Sequence, residues 1–234
     1  MPRDTLTREQ IVHAAVELLD AEGLEGLSMR TLGRRLDSAA TAVYWHVKNK
    51  DNLVLLAADH VWGELALPDP DSTDWRTAAA TMATDLYGMF TRHPWLVQAF
   101  TAHVLYGEGK SRHDDHTLTV YEAAGFTCDQ ADQAAAAVFT YVLGNAAGAA
   151  ATVSLTRRLT ADGTTAQQQL QDAMAQAQEI AMRYPRLRTR LETPAATDYA
   201  ASPDHAFEFG LQALLNGLEQ QLSNLDPAPP GHRR

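Results

Sequence analysis

The stretch from Asp37 to Asp51 leaves this chain fewer choices than any other. From Ala40 to Val47 it lacks Gly and Pro and keeps only Val43 and Val47 as an apolar pair at i, i+4, so it reads as a short helix with one thin face to bury. A helix that short is not stable alone, so the rest of the chain must be built to hold it. Its other faces carry Thr41, Tyr44, Trp45 and His46, and Lys48 and Lys50 follow where the chain turns away. Small, aromatic and cationic side chains on an exposed helix suit a DNA major groove. Small residues let the backbone approach base edges, while Tyr and Lys reach phosphates.

The preceding residues complete a helix-turn-helix. Ser28 is placed as an N-cap, Met29 to Leu36 carries Leu32 and Leu36 at i, i+4, and Gly33 between them lets a crossing helix come close. Asp37-Ser38 is the turn, and Asp tolerates a left-handed backbone better than most residues. Upstream, Thr7-Arg8-Glu9-Gln10 matches a capping box and Ile11, Ala14, Ala15, Leu18 and Leu19 form a stripe of helical period. Gly23 is expected to stop that helix, giving Thr7 to Glu22 and a three-helix head over residues 1–52. Lys50-Asp51-Asn52 opens a fourth helix, whose apolar run from Leu53 to Leu65 is too continuous for a surface helix. It must touch core on both sides, as a hinge between head and body would, and Pro68-Asp69-Pro70-Asp71 ends it.

At these residues a family resemblance becomes specific. Leu27-Ser28-Met29-Arg30-Thr31-Leu32, leading to Tyr44-Trp45-His46-Val47-Lys48-Asn49-Lys50, resembles the tetracycline-repressor (TetR) family, and the second run is closer to the tetracycline repressors themselves than to the family at large. Two positions depart. The family's turn glycine is Asp37, and the Ser-Pro-Gly-Thr type of sequence opening the recognition helix is Ala39-Ala40-Thr41-Ala42. The resemblance implies that the partner is a double-stranded DNA operator, contacted at phosphates or groove edges by Arg30, Tyr44, His46 and Lys50. Ala40, Thr41 and Ala42 would lie nearest the bases, with Trp45 and Lys48 completing the set. It also implies a homodimer joined through late helices, and an effector pocket whose occupation moves the fourth helix. An ungapped extension puts Ala66 where the tetracycline repressors' fourth helix supplies a drug-contacting His, so tetracycline is not the expected inducer.

The net charge of −10 fits a DNA-binding chain once it is divided. Residues 1–52 hold seven Lys/Arg and eight Asp/Glu, and residues 28–50 hold five of those cations against Asp37 alone. Residues 53–234 hold 12 cations and 21 anions, so the acidic body would repel DNA bound anywhere but at the motif.

With 234 residues and 45% apolar content the chain can bury a full core, and one small domain plus one larger one is the natural division. From Thr73 onward there is no strand signal, which makes the fold all-α. Helices are expected at about Asp74 to Arg92, Pro94 to Tyr106, Asp115 to Ala124, Asp129 to Thr156, Thr164 to Tyr184 and Asp204 to Leu225, with an irregular Pro-punctuated stretch after Tyr184. An effector-binding and dimerisation domain would span 53–226, and 227–234 would form a flexible tail. Small residues from Ala131 to Ala151, and Phe207, Phe209, Leu211, Leu214, Leu215, Leu218 and Leu222 in the last helix, need partners and suit a dimer seam.

No catalytic residues, metal or cofactor are expected. Gly-x-Ser-x-Gly, phosphate-loop and dinucleotide fingerprints are absent. His113-Asp114-Asp115-His116 is the one dense set of potential metal ligands, and it reads more simply as a solvated, helix-opening acidic segment. A metal-dependent helical enzyme resting on it is the rival from another class; a regulator without a ligand, its body serving only for dimerisation, is the nearer alternative. Aromatic residues concentrate at 62, 85–106 and 139–145. Trp62, Tyr87, Phe90, Trp95, Phe100, His103, Tyr106, Phe139, Tyr141 and Asn145 are therefore the candidate lining of a pocket for a small hydrophobic or aromatic effector. The lone Cys128 allows no intramolecular disulfide, and neither an N-terminal apolar run nor a stretch of ~20 apolar residues is evident, so a soluble cytoplasmic protein with no membrane partner is expected.

Overall fold

The computed structural model describes residues 6–162, 164–193 and 203–225, and among these the elements are all helices. In chain order they are α1 (Arg8–Gly26), α2 (Met29–Arg35), α3 (Ala40–Val47), α4 (Lys50–Gly63), α5 (Trp75–Arg92), α6 (Trp95–Ala102), α7 (Glu108–Ala123), α8 (Cys128–Asp162), α9 (Thr164–Ala181), α10 (Pro185–Leu191) and α11 (Pro203–Leu225). The expected turn at Gly163, the stretch 194–202 and the tail 227–234 lie outside the described residues.

Local rules carry the head. Thr7 and Gln10 close the capping box, each side chain accepting from the other's backbone N–H at 2.9 and 3.2 Å. Gly23 leaves helical geometry at φ 73°, as expected of a stop, but another turn follows and α1 reaches Gly26. Ser28 caps α2 by accepting from the Thr31 N–H at 3.0 Å. Val43 and Val47 are fully buried, so the thin face of α3 is the face that packs. α4 buries Leu53, Val54, Ala57, Ala58, Val61 and Trp62 between α1 on one side and α7 on the other, satisfying the demand for core on both faces.

Three boundaries in the body differ from expectation. α6 ends at Ala102 rather than Tyr106: the backbone turns extended at His103, and beyond it Leu105 is buried while Val104 and Tyr106 are exposed. α7 begins at Glu108 rather than Asp115: the Asp59 carboxylate of α4 accepts from the Lys110 N–H at 3.0 Å and caps it from a distance. α8 runs on to Asp162, and its segment Cys128–Arg157, with mean hydropathy 1.4, is long and apolar enough by composition to cross a membrane. That corrects the expectation that no stretch comes near this limit. The apolarity is largely alanine, and α8 packs on α5, α6, α7 and α11 within the body.

Candidate nucleic-acid interface and effector pocket

Of the nine residues proposed to face DNA, Arg30, Thr41, Tyr44, Trp45, Lys48 and Lys50 are exposed, while Ala40, Ala42 and His46 are half-buried along the same helix-turn-helix. Trp45 is 83% exposed, with its ring edge-on to the His46 ring at 5.2 Å between centroids. The turn that aims α3 is tight. The Ser38 N–H donates to the Gly33 carbonyl at 2.8 Å, and a Cβ on Gly33 would stand 2.8 Å from the Ser38 carbonyl oxygen, so no larger residue fits. Asp37 takes φ 47° and Lys48, at the far end of α3, φ 62°. Lys50 is not free: its ammonium donates to the Leu24 carbonyl at 2.7 Å, bracing α4 on the end of α1. Arg35 is engaged as well, its guanidinium bonded to Glu17 at 2.8 Å and holding that carboxyl below the usual carboxylate range.

The body holds a cavity of about 290 Å³ between α5, α7 and α8, closed at one end by Phe100 of α6. Ala79, Met82, Ala83 and Leu86 form one wall, and Ala135, Ala136, Val138 and Phe139 the opposite one. The third wall is α7, where Lys110, His113, Asp114 and Thr117 lie at i, i+3, i+4 and i+7 and so share a face. The size is at the small end of ligand pockets, and an apolar interior with few polar groups is their usual chemistry. Burial penalises the charged form of Asp114, yet the neighbouring His113 ring and the Lys110 ammonium outweigh it and keep the carboxyl below its ordinary range.

Two of the ten expected lining residues, Phe100 and Phe139, reach this cavity, with ring centroids 5.4 Å apart. Trp62 and Phe90 stand directly behind them, Trp62 at 5.4 Å from Phe100 and 5.8 Å from Phe90. The other six do other work or face elsewhere. Tyr87 stacks on Phe207 at 4.1 Å and the Tyr141 hydroxyl donates to the Phe207 carbonyl at 2.8 Å, so these two tie α5 and α8 to α11, while Asn145 donates to the Tyr141 carbonyl within α8. Trp95 bonds to Asp20 of α1, His103 lies in the extended segment after α6, and Tyr106 is exposed there. Clustering in sequence located the aromatic layer but could not say which faces of α5 and α8 turn inward. A helix expected from Asp115 leaves His113 in solvent; α7 starts seven residues earlier, at Glu108, and buries it in the polar wall. His113 and His116 do not converge either: the His116 Nε2 donates to the Pro68 carbonyl at 2.7 Å, and among the described residues no three His, Cys, Asp or Glu gather as metal ligands.

The cavity wall is also the neighbour of the helix that follows the recognition helix. Besides the Asp59 to Lys110 cap, the Arg112 guanidinium donates to the Gly63 carbonyl at 2.9 Å, and the Lys110 ammonium lies 5.7 Å from the centre of the Trp62 ring. Gly109 permits this closeness, since a Cβ there would fall 2.5 Å from the Asp59 carbonyl oxygen and 2.7 Å from the Gly63 nitrogen. A shift of α7 is therefore felt directly by α4.

A helix-turn-helix head packed against a pocketed helical body is the build of a transcriptional repressor whose hold on DNA answers to a small molecule. Residues 11–57 match the model of bacterial regulatory proteins of the tetR family, and residues 67–222 match the tetracyclin repressor-like C-terminal domain. The chain belongs to the TetR family of transcriptional regulators. It is 33% identical over 221 residues to the HTH-type transcriptional repressor DrrR1 of Streptomyces coeruleorubidus, a match covering 93% of this chain and 79% of that protein. It is 39% identical over 140 residues to an HTH-type transcriptional regulator of Saccharopolyspora erythraea, covering 60% of this chain and 59% of that one, less than two thirds of the relative's length. Among solved structures it resembles Streptomyces coelicolor ActR in complex with actinorhodin, with a TM-score of 0.69 at 25% identity over 92% of this chain and 96% of that one.

Proposed function

We propose that two copies of this chain bind an operator through paired α3 helices and release it when a flat, largely neutral aromatic molecule enters the cavity between α5, α7 and α8. The observation that carries this is the double role of α7, which lines the cavity and holds α4 through Asp59, Gly63 and Trp62. Dimer geometry makes a small displacement of α4 sufficient, because two half-sites are read about 35 Å apart. Arg30, Tyr44, His46, Lys48 and Lys50 serve phosphates and groove edges, Trp45 adds an exposed ring beside them, and Ala40, Thr41 and Ala42 face the bases. The Leu24 bond of Lys50 exchanges for a phosphate on docking. The exposed Val153 and Phe209 of α8 and α11 support a dimer seam on those helices, as in the family. The protein acts in the cytoplasm, where the DNA is, and as a regulator without enzymatic turnover.

The test selects an operator from random DNA and screens aromatic compounds by thermal shift, where a ligand at ~100 times its dissociation constant adds about 2.7 kcal/mol of stability. A compound that stabilises the protein should also release the operator. Stabilising ligands that leave DNA affinity untouched would reduce the cavity to a structural feature. Tetracycline with magnesium, titrated alongside, is expected neither to bind at micromolar strength nor to release DNA.

A further inference from the structure

One residue of the cavity wall carries a polar atom whose bonding the protein leaves incomplete. His113 lines the cavity from α7 and is 7% exposed, and its Nε2 is buried without a hydrogen-bond partner among the described residues. An orphaned buried ring nitrogen costs stability, and one that persists at a pocket wall calls for a partner that the fold does not supply. The neighbours decide what the ligand must bring. Nδ1 lies 3.8 Å from the Asp114 carboxylate, which favours the ring proton on Nδ1 and leaves Nε2 as an acceptor. The Thr117 hydroxyl cannot supply the missing donor, because it already donates to the His113 carbonyl at 2.8 Å.

Charge narrows the class further. Lys110 is the cation of the lining and is paired with Asp114, while Asp132 adds an exposed carboxylate at the rim. Nothing on the wall is left to neutralise a ligand carboxylate. The apolar remainder, with Phe100 and Phe139 at one end, wants a flat ring system.

We propose that His113 Nε2 is the polar anchor of the effector site, accepting a hydrogen bond from a ring hydroxyl on a neutral or cationic fused-ring aromatic ligand whose rings lie against Phe100 and Phe139. The anchor rests on the effector-cavity assignment above and adds to it the functional group the ligand must carry.

Calorimetric titration of the full chain with 1-naphthol, 1-methoxynaphthalene and 1-naphthoate tests it, because the three share a ring body and differ in offering a donor, no donor or a negative charge. 1-Naphthol should bind about five- to tenfold more tightly than 1-methoxynaphthalene, and 1-naphthoate most weakly. In His113→Leu that preference should fall to within about twofold, with 1-methoxynaphthalene bound at least as tightly as before. Equal binding of the first two by the unaltered chain, a preference that survives in His113→Leu, or 1-naphthoate binding best would each overturn the anchor. Should His113→Leu not fold, ¹⁵N NMR of the histidines in the unaltered chain decides: His113 should carry its proton on Nδ1, and its Nε2 resonance should move with 1-naphthol. A proton on Nε2, or a resonance that stays still, contradicts the proposal. Binding without hydroxyl preference removes the anchor and leaves the cavity assignment standing; no binding of any of the three removes both.

Discussion

The indole Nε1 of Trp95 donates to the Asp20 carboxylate at 2.8 Å, joining the start of α6 to the recognition head's first helix. His93 donates to the same oxygen at 2.7 Å, and the Arg157 guanidinium of α8 reaches the Asp20 carbonyl at 2.9 Å. Three parts of the body thus converge on one residue of the head, on the side of α1 served by α6 and α8. The other route, through α7 and α4, starts at the cavity. Head and body are coupled twice.

Replacing Asp20 by Ala leaves the Trp95 N–H buried without an acceptor and frees His93. A loss of about 1–3 kcal/mol in unfolding stability is expected, larger than for Trp95→Phe, which removes the donor and leaves the carboxylate its other partner. Urea denaturation of the two variants gives the ordering. Equal and negligible losses would mean that the junction closes over the gap and that α1 depends on α4 alone.

Two positive φ angles frame the recognition helix, and each offers a substitution that separates strain from function. Asp37→Gly should leave stability equal or raise it by up to about 1 kcal/mol, whereas Asp37→Ala should lower it. Lys48→Gly relaxes φ 62° in the same way but removes a cation from the DNA face. Its melting temperature should hold or rise while operator affinity falls for all sequences alike and the salt dependence flattens by about one unit. An unchanged salt slope would place Lys48 away from the phosphates.

Gly109→Ala tests the α4–α7 contact. The added methyl meets backbone atoms of Asp59 and Gly63, which cannot rotate aside, so the helices must separate at a cost of about 1–3 kcal/mol. The same separation weakens the link between cavity and head. A variant that still folds should therefore need more effector to release its operator, measured by fluorescence anisotropy of labelled DNA. Gly63→Ala serves as the control, since a Cβ there meets nothing within 4 Å.

What could be read beforehand divides along the range of the interactions. The cap at Ser28, the capping box at Thr7, the left-handed turn at Asp37 and the buried pair Val43 and Val47 depend on residues within a few positions of one another, and they stand where the pattern put them. The start of α7 depends on Asp59, some fifty residues away. Read locally, Gly107-Glu108-Gly109 is a turn. In the fold Gly109 is helical, its missing side chain letting α4 pass, and this places His113 and Lys110 against the cavity instead of in solvent. The aromatic layer was legible for a related reason only in part. Apolar bulk marks a residue for burial, and Trp62, Phe90, Phe100 and Phe139 do form one cluster, but the choice between the cavity and the α11 side turned on helix rotation, which sent Tyr87 and Tyr141 to Phe207.

The last expectation concerns acid. Burial disfavours the charged Asp114, but the nearby His113 ring and the paired Lys110 ammonium prevail, and its folded-state carboxyl titrates below the unfolded value of ~3.9. A depressed carboxylate contributes stability that is present above the unfolded value and is lost as pH falls through the folded one. Below that range the Lys110 pair is broken and the Nδ1 of His113 loses its carboxylate, so the polar wall of the cavity loosens together with the start of α7. Between about pH 5 and about pH 2 the unaltered chain should therefore lose more stability than Asp114→Asn, in which this titration is absent. Chemical denaturation at a series of pH values measures the difference. Parallel acid limbs for the two proteins would show that solvent already screens the Asp114 interactions and that the polar wall of α7 is held by packing alone.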